Sequence, residues 1–276
     1  MKDLFFYYDK NLVINDLSRK MQDFLRDDFA LNVTAAEDCF YIGLYKPFNG
    51  IYFELSIQSI VEQEFTYEYY NGAGFSSLNV FDDTNGLQRS GFLQWEKPSD
   101  WQSSQVGNQE AYWIKVSFAS DFDVTIAGCN LVFADDNDLQ QEIRDIQDYK
   151  AVGDKSFIAY HVSSRNDIVQ SLRNGGYRKT ENTNTIDETF ANITKWDILD
   201  LGEIRQAAKY LCLSKIFFDV SENVDDKAFT KFKEYQSMYG KAFDLFYLSI
   251  DKDDDGQVDN ITENLSDNEI QVYKLW

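Results

Sequence analysis

Between Phe65 and Val116 the chain alternates short aromatic and β-branched runs with turn signals. Phe65, Tyr67 and Tyr69 alternate with Thr66, Glu68 and Tyr70, the period of a strand with one buried face. Asn71-Gly72 and Asp82-Asp83-Thr84-Asn85-Gly86 cut the runs, and both compositions favour tight turns. Gly91 to Trp95 and Ala111 to Val116 continue the pattern. Together these signals predict an antiparallel β-domain with short connections. Trp113, an aromatic in mid-strand, is expected to anchor its core.

The flanking residues extend this domain. Short strands are expected at 4–8 and 12–14. A short amphipathic helix is expected at 16–26, with Leu17, Met21, Phe24 and Leu25 on its apolar side. Strands at 39–45 and 51–58, separated by Pro47 and Asn49-Gly50, read as a hairpin. A last strand is placed at 124–133. Beyond it the period changes. Helices are expected at 138–146, and from Ser163 to a stop at Asn174-Gly175-Gly176. Residues 178–194 are polar and aperiodic and read as a loop. Leu201 to Phe218 places Ile204, Ala207, Ala208, Leu211, Cys212 and Phe218 on one buried stripe, interrupted by Lys215. Asp225 to Leu248 carries an aromatic stripe from Phe229 to Tyr247. These last two helices form an αα-hairpin. The predicted class is α+β, an antiparallel β-sandwich followed by an α-helical domain. The expected divisions are an N-terminal strand–helix arm at 1–27, the sandwich at 28–134 and the helical domain at 135–276. The last ends in an acidic loop and tail.

The chain has 276 residues, 43 % of them hydrophobic and 16 % aromatic, enough for a substantial core. Its 26 basic residues face 47 acidic ones, a net charge of −21. Binding to a nucleic-acid backbone needs a basic stripe, and none is visible. The three cysteines, Cys39, Cys129 and Cys212, are widely spaced in apolar surroundings and are expected to be buried and reduced. The N-terminus lacks the apolar region and cleavage site of a signal peptide. No apolar run is long enough to predict a membrane span.

Few residues suggest chemistry. His161 is the only histidine, so a common zinc site is excluded. No phosphate-binding loop, dinucleotide fingerprint or G-x-S-x-G elbow occurs. Carboxylates are plentiful enough to imagine a glycosidase pair, and Trp95, Trp101 and Trp113 offer a conceivable sugar-stacking set. No catalytic residue is assigned. The sharpest motif is Asp251 to Asp259, which follows the first nine positions of a calcium loop. Asp251, Asp253, Asp255, Gln257 and Asp259 supply its candidate ligands, with Gly256 at the turn. The closing glutamate is missing, since Thr262 holds that place. Any calcium would bind weakly, on the order of 10⁻⁴ to 10⁻³ M; no other cofactor is expected. Phe229, Phe232, Tyr235 and Tyr239 present more apolar surface than one hairpin can hide. With Tyr273 and Trp276 of the tail they are the candidate subunit or partner contacts.

Two stretches carry a resemblance. The residues from Glu68-Tyr69-Tyr70-Asn71-Gly72 through Ser90-Gly91 and Pro98 to Trp101, closing at Tyr112-Trp113-Ile114-Lys115-Val116, resemble a β-sandwich module of tailed-phage tail, baseplate and neck proteins. Trp196, Ile204, Ala207, Ala208 and Tyr210, with Asp225-Asp226-Lys227 opening the next helix, are similar to the helical body of phage head–tail connector proteins. Simple connectors are much shorter, and here the β-module stands upstream as an elaboration. The resemblance implies a non-enzymatic structural protein of the virion, assembled in the host cytoplasm. It would form a ring, with the twelve-fold symmetry of the portal, in the neck between portal and tail. The implied partners are further copies, the portal protein and tail or neck proteins, with viral DNA passing through unbound and no membrane contact. The alternative is a tail or baseplate component whose β-module binds tail proteins or host-surface glycans.

Overall fold

The computed structural model describes the chain apart from residues 1–3, 11, 25–27, 35–37, 62, 176–177, 182–188, 246–248, 251–259 and 262–276. Two compact units divide between Leu131 and Val132.

The first unit is a β-sandwich. Its strands in chain order are β1 (Phe5–Lys10), β2 (Val13–Asp16), β3 (Phe29–Val33), β4 (Cys39–Leu44), β5 (Gly50–Ile57) and β6 (Phe65–Tyr70). There follow β7 (Phe75–Ser77), β8 (Val80–Asp82), β9 (Gly91–Trp95), β10 (Ser104–Val106), β11 (Gln109–Phe118) and β12 (Phe122–Asn130). One sheet has the order β2-β1-β4-β11-β6-β7, with β10 added on β11; the other has the order β3-β12-β5-β9-β8. All pairings are antiparallel. The faces meet through aromatic rings. Phe6 and Phe40 stack in the first sheet at 5.2 Å, and Phe53 of the second meets them at 6.4 and 6.2 Å.

Several expectations change. Strands β1 and β2, within the stretch set apart as an arm at 1–27, belong to the first sheet of the sandwich. β1 pairs along β4, because Phe6 and Tyr8 point into the core beside Ile42 and Phe40. The helix expected at 16–26 is described only as α1 (Ser18–Met21). β4 and β5 do not form a hairpin; they lie in opposite sheets. Both strands read as nearly continuous buried runs, as central strands do, and the connection carries buried Phe48 across. The Trp95 indole N–H donates to the Phe48 carbonyl at 2.7 Å and holds that crossing. The turn after β8 is tight, with positive φ at Asn85, Gly86 and Leu87. Asp82 braces it by accepting from the Thr84 N–H at 2.8 Å and hydroxyl at 2.6 Å.

Trp113 is fully buried, as expected of an anchor, but on the outer face of its sheet. There it packs with Phe5, Tyr7, Val106 and Ala111 under β10. Its indole N–H donates to the Ser104 carbonyl at 2.8 Å. Gly43, its cross-strand partner, lies directly beneath the six-membered ring.

The second unit is helical. It comprises α2 (Asp136–Glu142), α3 (Ile158–Asn174), α4 (Leu201–Asp219) and α5 (Lys227–Leu245). The stretch expected as a loop at 178–194 contains a hairpin, β13 (Arg178–Glu181) with β14 (Thr189–Asn192). β15 (Ser249–Ile250) and β16 (Asn260–Ile261) form a short pair. Leu139, Ile146, Phe157, Leu213, Ile216 and Phe217 form its core with Cys212 and Tyr235. Helix α3 begins five residues before the Ser163 signal. Its starting N–H, that of Phe157, donates to the Asp136 carboxylate at 3.0 Å, so a group distant in sequence supplies the cap.

Replacing Gly43 by alanine places a methyl group inside the Trp113 ring. The ring or strand must move, and we expect a loss of about 1–3 kcal/mol with the fold retained. Urea unfolding followed by tryptophan fluorescence measures it; an unchanged midpoint would show that the ring shifts freely.

Candidate functional site

The aromatic stripe of α5 divides into two roles. Tyr235 belongs to the core, stacked on Phe217 at 5.8 Å and on Tyr210 at 6.2 Å. It is not a surface available to a partner, because the 3.6-residue period turns it directly onto α4. Phe232 and Tyr239 are partly buried against that core. Burial raises the Tyr239 hydroxyl to about 12. Phe229 is half-buried and touches Phe232 at 5.4 Å. The candidate tail contacts Tyr273 and Trp276 lie outside the described residues. So do all five candidate calcium ligands, Asp251, Asp253, Asp255, Gln257 and Asp259. Among the described residues no group of three or more His, Cys, Asp or Glu side chains is placed to hold a metal.

Phe218 and Val224 complete this surface. Phe218 closes α4 with 55 % of its surface exposed and touches Phe232 at 5.2 Å; Val224, in the turn, is 68 % exposed. Phe218 lies on the apolar stripe of its own helix, so periodicity predicts burial. The helix end leaves nothing above it.

Charge is arranged around these rings. Helix α5 carries Lys227, Lys231, Lys233 and Lys241 against Glu234 and Asp244, a local excess of cations in an acidic chain. Among the described residues none of the four lysines joins an ion pair. Lys231 sits over Phe217 at 4.7 Å and Lys233 over Phe229 at 4.6 Å, close enough for cation–π attraction. The turn before α5 is acidic. Asp226 is held below the ordinary carboxylate value by backbone N–H groups of Ala228 and Glu222.

A second polar cluster lies deeper. Asp135 and Asp138 form a reciprocal cap at the start of α2, with N–H to carboxylate distances of 2.9 and 3.0 Å. Arg205 of α4 reaches both: its Nε donates to the two Asp138 oxygens at 2.8 Å, and Nη2 lies 3.7 Å from Asp135. Burial first, then the neighbouring Asp138 charge, raise Asp135 to about 6, against the pull of the Asp138 N–H and Arg205. One turn on, Lys209 binds Glu142 at 2.7 Å, and further along Lys215 binds Asp167 of α3 at 2.5 Å. Lys215, the interruption in the apolar stripe, is therefore a tie between helices.

The single histidine belongs to this cluster. His161 Nε2 lies 3.0 Å from Asp136 Oδ1, and the Cys212 sulfur faces the ring. The types match a thiol–imidazole–carboxylate nucleophile. Its geometry does not offer one to solvent, because His161 and Cys212 are both buried in the core. All three cysteines are free and buried, as expected from the sequence. The three β-domain tryptophans considered as a sugar-stacking set are buried too.

No protein-family model and no curated protein matches this chain. Among solved structures, the CBM32 of AlyQ in complex with 4,5-unsaturated mannuronic acid matches at 9 % identity, covering 40 % of this chain and 80 % of its own, with a TM-score of 0.26. A family 89 glycoside hydrolase from Clostridium perfringens, in complex with 2-acetamido-1,2-dideoxynojirmycin, matches at 9 % identity. That match covers 62 % of this chain and 20 % of the hydrolase, with a TM-score of 0.28. Likenesses this slight carry no argument about what this chain does. No described helix is long and apolar enough to cross a membrane.

Replacing Arg205 by methionine leaves Asp135 and Asp138 facing each other without a cation. We expect a loss of about 1–3 kcal/mol at neutral pH, reduced because Arg205 is partly exposed. The raised Asp135 costs stability only when ionised, so that cost is absent below 3.8 and complete above about 6. Removing the pull of Arg205 raises Asp135 further, so in thermal melts the variant's deficit against wild type should shrink as pH falls from neutral toward about 6. A deficit equal at every pH would show that the ion pair is not its cause.

Proposed function

We propose that the chain is a structural subunit of the neck of a tailed phage, a head–tail connector that assembles into a ring between portal and tail. One observation carries this reading. Helix α5 is packed on one side, and its first turns leave Phe218, Phe229 and Phe232 half open beside lysines with no acidic partner among the described residues. An aromatic centre with a charged rim is the composition of a protein–protein contact. A further copy suits it, since every copy carries an excess of 21 negative charges. In a closed ring such a patch meets a different surface of the next subunit. The sealed His161 and Cys212 favour a structural role over catalysis. The buried tryptophans weigh against the tail or baseplate alternative in its glycan-binding form.

Electron microscopy of purified protein tests the reading directly, with rings expected. Phe218→Glu should leave a folded monomer, because that side chain lies more than half in solvent, and should abolish rings. A wild type that stays monomeric at high concentration counts against the ring; rings formed by the variant count against this patch.

For the loop at 251–259 we propose a weak, structural calcium site. A cation would relieve repulsion among the four aspartates proposed as ligands and couple binding to loop ordering. Calorimetry should detect binding only near millimolar calcium, with a matching rise in melting temperature that a chelator reverses. No heat and no shift would leave a plain acidic turn.

A further inference from the structure

His161 sits where three helices meet. It lies on α3, Asp136 of α2 faces its Nε2 at 3.0 Å, and Cys212 of α4 faces the ring. The nearby charged or titratable groups are Asp136 and Asp135 from α2 and Cys212 from α4. Asp136 does two jobs at once: it also accepts the N–H of Phe157, at the start of α3, at 3.0 and 3.3 Å. Nδ1 is buried without a hydrogen-bond partner.

The two protonation states fit this setting differently. A neutral ring must keep its proton on Nε2 to donate to the carboxylate. Nδ1 is then a buried acceptor without a partner among the described residues. A charged ring donates from Nε2 to the carboxylate, with its Nδ1–H left unpartnered. Its bond to Asp136 becomes charge-assisted and about twice as strong. The Asp136 contact is therefore the part of the site that favours imidazolium.

We propose that Asp136, His161 and Cys212 form a proton-operated latch: charged His161 fastens the start of α3 to α2, and loss of its proton to solvent loosens that junction. The inference is independent of any assembly. Burial, the largest single influence, opposes the charged ring, but the Cys212 sulfur and the Asp136 carboxylate outweigh it and hold the ring well above the ordinary 6.5. The linkage has a definite sign. A raised histidine contributes stability that is complete below 6.5 and lost as pH rises through its folded value. Asp135 acts below this range, between 3.8 and about 6, so the two effects occupy separate windows.

Because His161 is the only histidine in the chain, its imidazole nitrogen signals need no assignment. In the full-length protein we expect them to report a charged ring at neutral pH, with wild-type melting temperature falling as pH rises above 6.5. His161→Gln keeps one donor and no titration, so its melting temperature should be flat over that range. Asp136→Asn should move the ring's titration to lower pH. A neutral ring at neutral pH, or a glutamine variant with the wild-type pH slope, would overturn the latch. If neither variant folds, the wild-type titration alone still decides.

Discussion

The contact of Phe53 with Phe6 and Phe40 is the constraint on which the first unit rests. These rings come from opposite sheets, and each is fully buried. Neither sheet has a stable face without the other, since either would expose a row of aromatic side chains. Consequences follow outward. β1 must lie beside β4 to deliver Phe6, which draws the N-terminus into the sandwich. β4 and β5 must part into different sheets to bring Phe40 opposite Phe53. The loop between them must cross the gap, and the Trp95 indole holds it there.

The helical unit rests on a different balance. Its apolar core is ordinary, but its helices are also indexed by charge. Three carboxylates in four residues, Asp135, Asp136 and Asp138, gather at the start of α2. Each has its own partner: a backbone N–H, a histidine or an arginine. Grouping like charges in a buried place is unfavourable unless every oxygen is engaged. The same cluster therefore orients α3 through Asp136 and α4 through Asp138. Hydrophobic stripes let helices slide or rotate over one another; a shared carboxylate run does not.

The sequence was legible where one residue's surroundings are local. Strand alternation at 65–70, the turn at 82–86 and the stripes of α4 and α5 all rest on short spacings, and the α+β class follows from them. It was opaque where the decisive partner is remote. The early start of α3 depends on Asp136, twenty-one residues away. The role of Lys215 depends on Asp167, and Arg205 finds Asp138 across sixty-seven residues. At the candidate contact surface, periodicity identified the aromatic residues of α5 but could not divide them. Tyr235 became core and Phe229 stayed half open, because the division depends on where α4 ends. The same blindness hid Phe218, whose position on an apolar stripe argues for burial.

The three buried cysteines give each layer its own clock. Cys39 stands in the first sheet, Cys129 in the second and Cys212 in the helical core. A thiol reagent reaches each only when its surroundings open, so the modification rate of each site reports the local free energy of opening. Mass mapping would separate the three rates in one experiment, without any engineered probe. The two halves of the sandwich and the helical unit can thus be timed separately as they come apart.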